Sequence, residues 1–270
     1  MIITSFSNQK VKLIRKLDQK KYRQETGLFF IEGLRTVGEA IQTFAPLEAL
    51  IVAPELLNSE FGYSLLNHPA LKQVEKIEVS AEIYRKIAHK EGPQGIGAII
   101  QQNWVPLEQI NVAEEEVWVA LDAISDPGNL GTIMRTADAV GSRGIILLGH
   151  STDPYDPTAV KASMGSIFSL ELVRSEWRPF MVWCQEHQLT LIGTSDHAQQ
   201  DYQNIRYKHP LALLMGSERH GLSAEMQAAC DQMARIPMVG RSDSLNLAVS
   251  TALMLYEIFN QSRDKDIITT

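Results

Sequence analysis

Cysteine is scarce in this 270-residue chain, which has only Cys184 and Cys230. Two thiols make neither a disulfide framework nor a four-cysteine zinc site. Long apolar runs are missing too. The best, such as Leu211 to Met215, are strand-sized, well short of the roughly 18 residues that span a bilayer. The opening Met1-Ile2-Ile3-Thr4-Ser5-Phe6 lacks the basic-then-apolar pattern of a secretory signal. These absences lead us to expect a cytoplasmic protein without membrane attachment. Wholesale disorder is excluded by 44% hydrophobic and 21% charged residues. The length suggests about two domains at roughly 150 residues each.

The net charge of −7 hides an asymmetry. Through Arg35 there are eight basic residues, Lys10, Lys12, Arg15, Lys16, Lys20, Lys21, Arg23 and Arg35, against three acids, a local net of +5. The remainder carries −12. Val11, Ile14 and Leu17 recur at helical spacing within this segment, so a helix can dock by a narrow apolar face and offer its cations to phosphates. A solvated surface helix has the same pattern.

Beyond it, apolar runs alternate with helix-like stretches: strands near 28–31, 47–52, 74–79 and 96–100, with helices near 34–44, 55–66 and 81–88. This describes a small α/β domain over 1–100. Residues 101–116, with Gln-Gln-Asn, a proline and three consecutive glutamates, read as a linker. From Val117 to residue 270 the alternation restarts with strands at 117–124, 144–148, 190–194 and 211–215. Helices are expected at 130–140, 178–187, 222–230 and 245–259. Strands rich in Ile, Leu and Val without polar alternation predict a mostly parallel sheet.

In such sheets ligands gather beyond the carboxyl ends of strands. Three turns there are unusual. The first, Asp126 to Ala137, holds Asn129, a candidate cap for its helix, and Arg135, which points away from the apolar face of Leu130, Ile133, Met134 and Ala137. The second runs Leu214-Met215-Gly216-Ser217-Glu218-Arg219-His220-Gly221, where Gly216 permits a close approach to the backbone. It is neither a dinucleotide fingerprint nor a phosphate loop, and Glu218 with His220 is too few ligands for a metal site. The third is Ile236 to Leu247, where Ser244 is placed to cap the last helix and Asn246 to sit in its first turn.

In order, N-L-G-T-I-M-R-T-A, M-G-S-E-R-H-G-L-S and I-P-M-x-G-x-x-x-S-L-N resemble the three motifs of the SpoU/TrmH RNA ribose methyltransferases, of the SPOUT or α/β-knot superfamily. The resemblance spans 117–260. Phe30-Ile31-Glu32-Gly33 with Val37 to Ala40 is similar to the L30e-like RNA substrate-binding domain that precedes many such enzymes. The resemblance implies an α/β domain with a trefoil knot, S-adenosylmethionine as methyl donor and a homodimer. It carries Asn129, Arg135, Glu218, Ser244 and Asn246 over as the active-site polar set. Leu214, Gly216, Ile236, Met238 and Leu245 are carried over as cofactor-holding positions.

The implied reaction is attack of a ribose 2′-hydroxyl on the donor methyl, most simply in 23S ribosomal RNA. A transfer-RNA enzyme and a noncatalytic RNA-binding protein of the same fold are the alternatives. A guanidinium with a pKa above about 12 is a poor ground-state base. Arg135 is therefore expected to grip a phosphate or the nascent alkoxide, Glu218 to orient Arg135, and Asn129 to fix the ribose, with a phosphate-assisted base role for Arg135 left open. No metal is expected, because a sulfonium needs no Lewis acid to release its methyl group.

Overall fold

The computed structural model describes residues 2–89, 91–241 and 244–268, with side chains through Arg263. The chain forms two compact units, Met1–Gln102 with Asp153–Ser169, and Asn103–Thr152 with Leu170–Thr270.

The first unit begins with α1 (Gln9–Lys16) and α2 (Lys20–Thr26), so the basic segment makes two helices rather than one. Then come β1 (Leu28–Glu32), α3 (Leu34–Gln42), β2 (Leu47–Val52), α4 (Glu60–Leu66), β3 (Glu75–Glu78), α5 (Ala81–Ile87) and β4 (Ile96–Gln101). Its sheet runs β1-β4-β2-β3, with β4 antiparallel to both neighbours and β2 parallel to β3. Val11, Ile14 and Leu17 are buried against Ile51, Val79 and Ile83, so the predicted stripe docks on this core. Burial of such side chains stabilises by about 1.5–3 kcal/mol each.

The second unit opens with β5 (Val117–Asp122), α6 (Pro127–Ala139) and β6 (Gly144–Leu148). The chain then passes through α7 (Pro157–Ser163), which is counted with the first unit. There Tyr155 lies 4.7 Å and Phe168 6.3 Å from the Phe29 ring, centroid to centroid. The Asp156-Pro157 pair that starts α7, a capping Asp followed by proline at the first helical position, was its sequence signal. The chain continues with β7 (Glu171–Ser175), α8 (Trp177–Glu186), β8 (Thr190–Thr194), β9 (Gln200–Asp201), β10 (Leu211–Met215), α9 (Ala224–Ala229), β11 (Gln232–Arg235) and α10 (Leu247–Ile268).

Its seven-stranded sheet has the order β7-β6-β5-β10-β8-β11-β9, with every pairing parallel. Trp118 and Trp183 meet edge to face at 5.5 Å in the core. Leu107 and Ile110, from the expected linker, are buried in the same cluster. The order reverses where β5 meets β10: the chain moves outward from β5 through β6 to β7, then returns to fill the other side. By the general rule for open α/β sheets, the ligand crevice belongs at that reversal, beyond the carboxyl ends of β5 and β10. Among the described residues no helix is long and apolar enough to cross a membrane.

Candidate active site

The first two loops leave the two strands that flank the crevice, and the third returns from β11 to α10. One chain of hydrogen bonds ties them together. Glu218 accepts from the backbone N–H and hydroxyl of Ser125 at 3.2 Å each, and from Asp126 N–H and Asn129 Nδ2 at 3.3 Å each. Asn129 Oδ1 in turn accepts from Asn246 Nδ2 at 2.9 Å. Asn246 Oδ1 takes the N–H groups of Ala248 at 2.9 Å and Val249 at 3.3 Å.

The direction of the relay follows from chemistry. An ionised carboxylate only accepts, so the NH2 of Asn129 must face Glu218 and its oxygen must face Asn246. That forces Asn246 to donate with its nitrogen and to cap α10 with its oxygen. Burial works to raise the Glu218 pKa, but backbone N–H groups of Glu218, Ser125 and Asp126 and the Asn129 amide outweigh it. The carboxyl is held below its usual range.

Several expectations change. Asp126 rather than Asn129 caps α6, its carboxylate accepting from Asn129 N–H at 2.7 Å. Asn246 rather than Ser244 bonds the first N–H groups of α10, because the helix starts at Leu247, two residues later than expected. Glu218 does not orient Arg135: its oxygens are taken by Ser125, Asp126 and Asn129, while Arg135 stands exposed on α6 without an ion pair among the described residues. Arg135 lies six positions after Asn129, which turns it well away from the relay on a 3.6-residue helix.

Gly216 is required by the chain itself. A Cβ there would lie 2.1 Å from the backbone carbon of Gly221, where the loop doubles back through the Ser217–Gly221 bridge. Leu214 is fully buried in β10, paired with β5 and β8. Ile236 is half-buried, whereas Met238, Val239 and Leu245 leave apolar side chains exposed on the third loop. Residues 242 and 243 of that loop lie outside the described residues.

Sequence reasoning missed Ser125, which donates twice to Glu218, and Asp122 at the end of β5, whose carboxyl is pushed up by burial. Ala123, next to Asp122, holds a left-handed φ of 50°, a strained conformation where the first loop leaves the strand. Neither Cys184 nor Cys230 offers a thiolate. Burial, then the charge of Asp231, pushes both up to about 12.

The proposed RNA-binding set loses one member. Arg23 is 1% exposed, and its guanidinium bonds Asp153 at 2.9 Å, the Leu17 and Asp18 carbonyls at 2.9 Å each and Asp156 at 3.4 Å. It caps the end of α1 and anchors the segment around α7. Lys12, Arg15, Lys16, Lys20, Lys21 and Arg35 remain exposed, as does Lys10, which also pairs with Glu75 at 2.7 Å.

Residues 116–256, which include all three loops, match the SpoU rRNA methylase family. The chain belongs to that family. Residues 8–98 match the MRM3-like substrate binding domain. Among relatives of this SpoU methylase, a Streptomyces viridochromogenes 23S rRNA (uridine(2479)-2′-O)-methyltransferase is 32% identical, over 91% of this chain and 87% of its own. A Bacillus subtilis 23S rRNA (guanosine(2553)-2′-O)-methyltransferase is 29% identical, over 95% and 98%. The crystal structure of an AdoMet-bound rRNA methyltransferase from Sinorhizobium meliloti superposes with a TM-score of 0.88 at 38% identity, covering 96% of this chain and 97% of that one.

S-adenosylmethionine is the cofactor. The exposed apolar residues Met238 and Leu245, with half-buried Ile236, suit the adenosine part of such a ligand, and the polar relay suits the reacting end.

Proposed function

We propose that this protein is an RNA 2′-O-methyltransferase of 23S ribosomal RNA, acting in the cytoplasm as a homodimer. The observation that carries the reading is the Glu218–Asn129–Asn246 relay, which joins three loops distant in sequence beside the β5–β10 crevice. A ribose hydroxyl is a weak nucleophile until its proton leaves or its developing charge is stabilised. When bound, the sulfonium cofactor supplies an activated methyl group and a neutral leaving group. What the chain must add is position and charge. Glu218 fixes the Asn129 amide, Asn129 and Asn246 hold the ribose edge, and the free guanidinium of Arg135, which leaves α6 apart from the relay, meets a substrate phosphate. The two relatives named above modify a uridine and a guanosine, so family membership leaves the target nucleotide open.

The homodimer reading rests on α10. Leu247, Ala248, Thr251, Met254, Leu255 and Ile258 are buried, while Val249, Leu253 and Tyr256 form a second, exposed apolar stripe at i, i+4 and i+7. A second copy would cover it.

The deciding experiment is transfer of labelled methyl groups to ribosomal and transfer RNA with a chelator present, followed by nuclease digestion and mass spectrometry. A 2′-O-methyl nucleoside from 23S RNA is expected, and resistance to alkaline cleavage would map its position. A methyl group on a base, or a need for a divalent ion independent of RNA folding, would overturn the mechanism. Product found only in transfer RNA would overturn the substrate.

A further inference from the structure

A cavity of about 450 Å3 lies in the first unit; no residue of the three loops lines it, and it is used by nothing described so far. It falls within the roughly 300–1,000 Å3 of small-ligand sites. We propose that it receives one unstacked nucleotide of the RNA substrate, with the base against Phe61 and its phosphates against Arg35 and Lys161. The proposal rests on the RNA reading above.

Phe61, on α4, lines the cavity and is 49% exposed, although it is one of the larger apolar side chains of this unit. Its ring lies against Gly38 in the interior of α3. A Cβ at that position would sit 3.3 Å from Phe61 Cζ. Glycine weakens a helix interior, and here it lets the ring lie close to the helix backbone. An aromatic ring held on one side and open on the other is a stacking platform for a base, whatever its sequence. Val160 and Met164 add apolar wall.

The polar lining fits the same ligand. Arg35 and Lys161 are exposed and enter no ion pair among the described residues. Charge in this unit as a whole nearly balances, with fourteen Lys/Arg, these two included, against thirteen Asp/Glu. Two unpaired cations at the rim of an aromatic pocket are complementary to a phosphodiester backbone. Gln94 Oε1 accepts from Leu34 N–H at 3.1 Å, which leaves its NH2 to donate to a base edge. Glu32 is already engaged by His89 N–H at 3.0 Å, and Glu39 offers an acceptor for an exocyclic amine.

Val160, Lys161 and Met164 come from the segment around α7, far beyond residue 98, where the substrate-binding match ends. Neither matched region contains the whole pocket. It exists because the chain returns to the first unit after β6.

The test uses the full chain with total RNA as methyl acceptor. Phe61→Ala should raise the KM for RNA about 10-fold, the order expected for one lost base stack. Cofactor affinity and melting temperature should stay at wild-type values, and Phe61→Trp should restore the KM. Arg35→Ala and Lys161→Ala should each lower the salt slope of RNA binding by about 1. An unchanged RNA KM in Phe61→Ala would overturn the pocket while leaving the methyltransferase reading intact. Equal losses in Phe61→Ala and Phe61→Trp with a lowered melting temperature would make Phe61 a packing residue, and also overturn it. Calorimetric binding of nucleoside monophosphates that Phe61→Ala abolishes without changing RNA kinetics would assign the pocket to a free nucleotide instead. Wild-type protein that transfers to no RNA would sink the functional reading itself, and the pocket with it.

Discussion

Asn129 and Asn246, 117 positions apart, meet through a 2.9 Å hydrogen bond whose direction is dictated by a third residue, Glu218. The carboxylate fixes one amide, and that amide fixes the next. Removing Asn129 therefore disturbs the other two loops. Asn129→Ala should lower methyl transfer by about 100-fold or more, as for loss of a preorganised donor elsewhere. The Asn129→Ala/Asn246→Ala double variant should be little worse than either single one, because the residues act as a unit. Losses that multiply independently would separate them.

Arg135 stands outside this relay. Arg135→Ala should abolish transfer while calorimetric affinity for S-adenosylmethionine stays within a few-fold of wild type. An equally large loss of cofactor binding would remove Arg135 from the role given to it here.

Glu218 ties the relay to pH. Its folded pKa lies below the ordinary glutamate value near about 4.3, so the stabilisation is fully present above that value. It is lost as the pH falls through the lower folded value. The stability difference between wild type and Glu218→Gln should accordingly hold at neutral pH and shrink as acid is added below about pH 4. Urea titrations at a series of pH values measure it, and a constant difference would contradict the shift.

Arg23 should behave as a structural residue. With its guanidinium 1% exposed and paired to Asp153, Arg23→Ala takes the countercharge from a buried carboxylate and should cost about 3–5 kcal/mol in urea unfolding. Lys20 is exposed, so Lys20→Ala should leave stability unchanged and reduce the salt slope of RNA binding by about 1. If Arg23→Ala proves stable but loses RNA affinity, its assignment reverses.

Val249→Asp or Tyr256→Asp would place a charge on the exposed stripe of α10. Sedimentation equilibrium should show a dimer for wild type and a 30.2 kDa monomer for either variant. A monomeric wild type at micromolar concentration would refute the dimer.

The sequence determined the local structure well wherever periodicity is strong. Strands such as 211–215 and the stripe of Val11, Ile14 and Leu17 were legible because a buried face imposes its own spacing. The three loops were legible as loops, and their polar residues as a set. Only the tertiary structure decided which of those residues touch. Glu218 faces Asn129 and not Arg135 because the β5 and β10 ends lie side by side, and strand order is a long-range property that local pattern does not encode. Arg23 follows the same rule. Its charge is visible in the sequence, but its partners Asp153 and Asp156 lie about 130 positions away. Burial turned an apparent RNA contact into a buried ion pair because desolvating a guanidinium is tolerated only where acceptors converge on it, and the fold brings those acceptors to it.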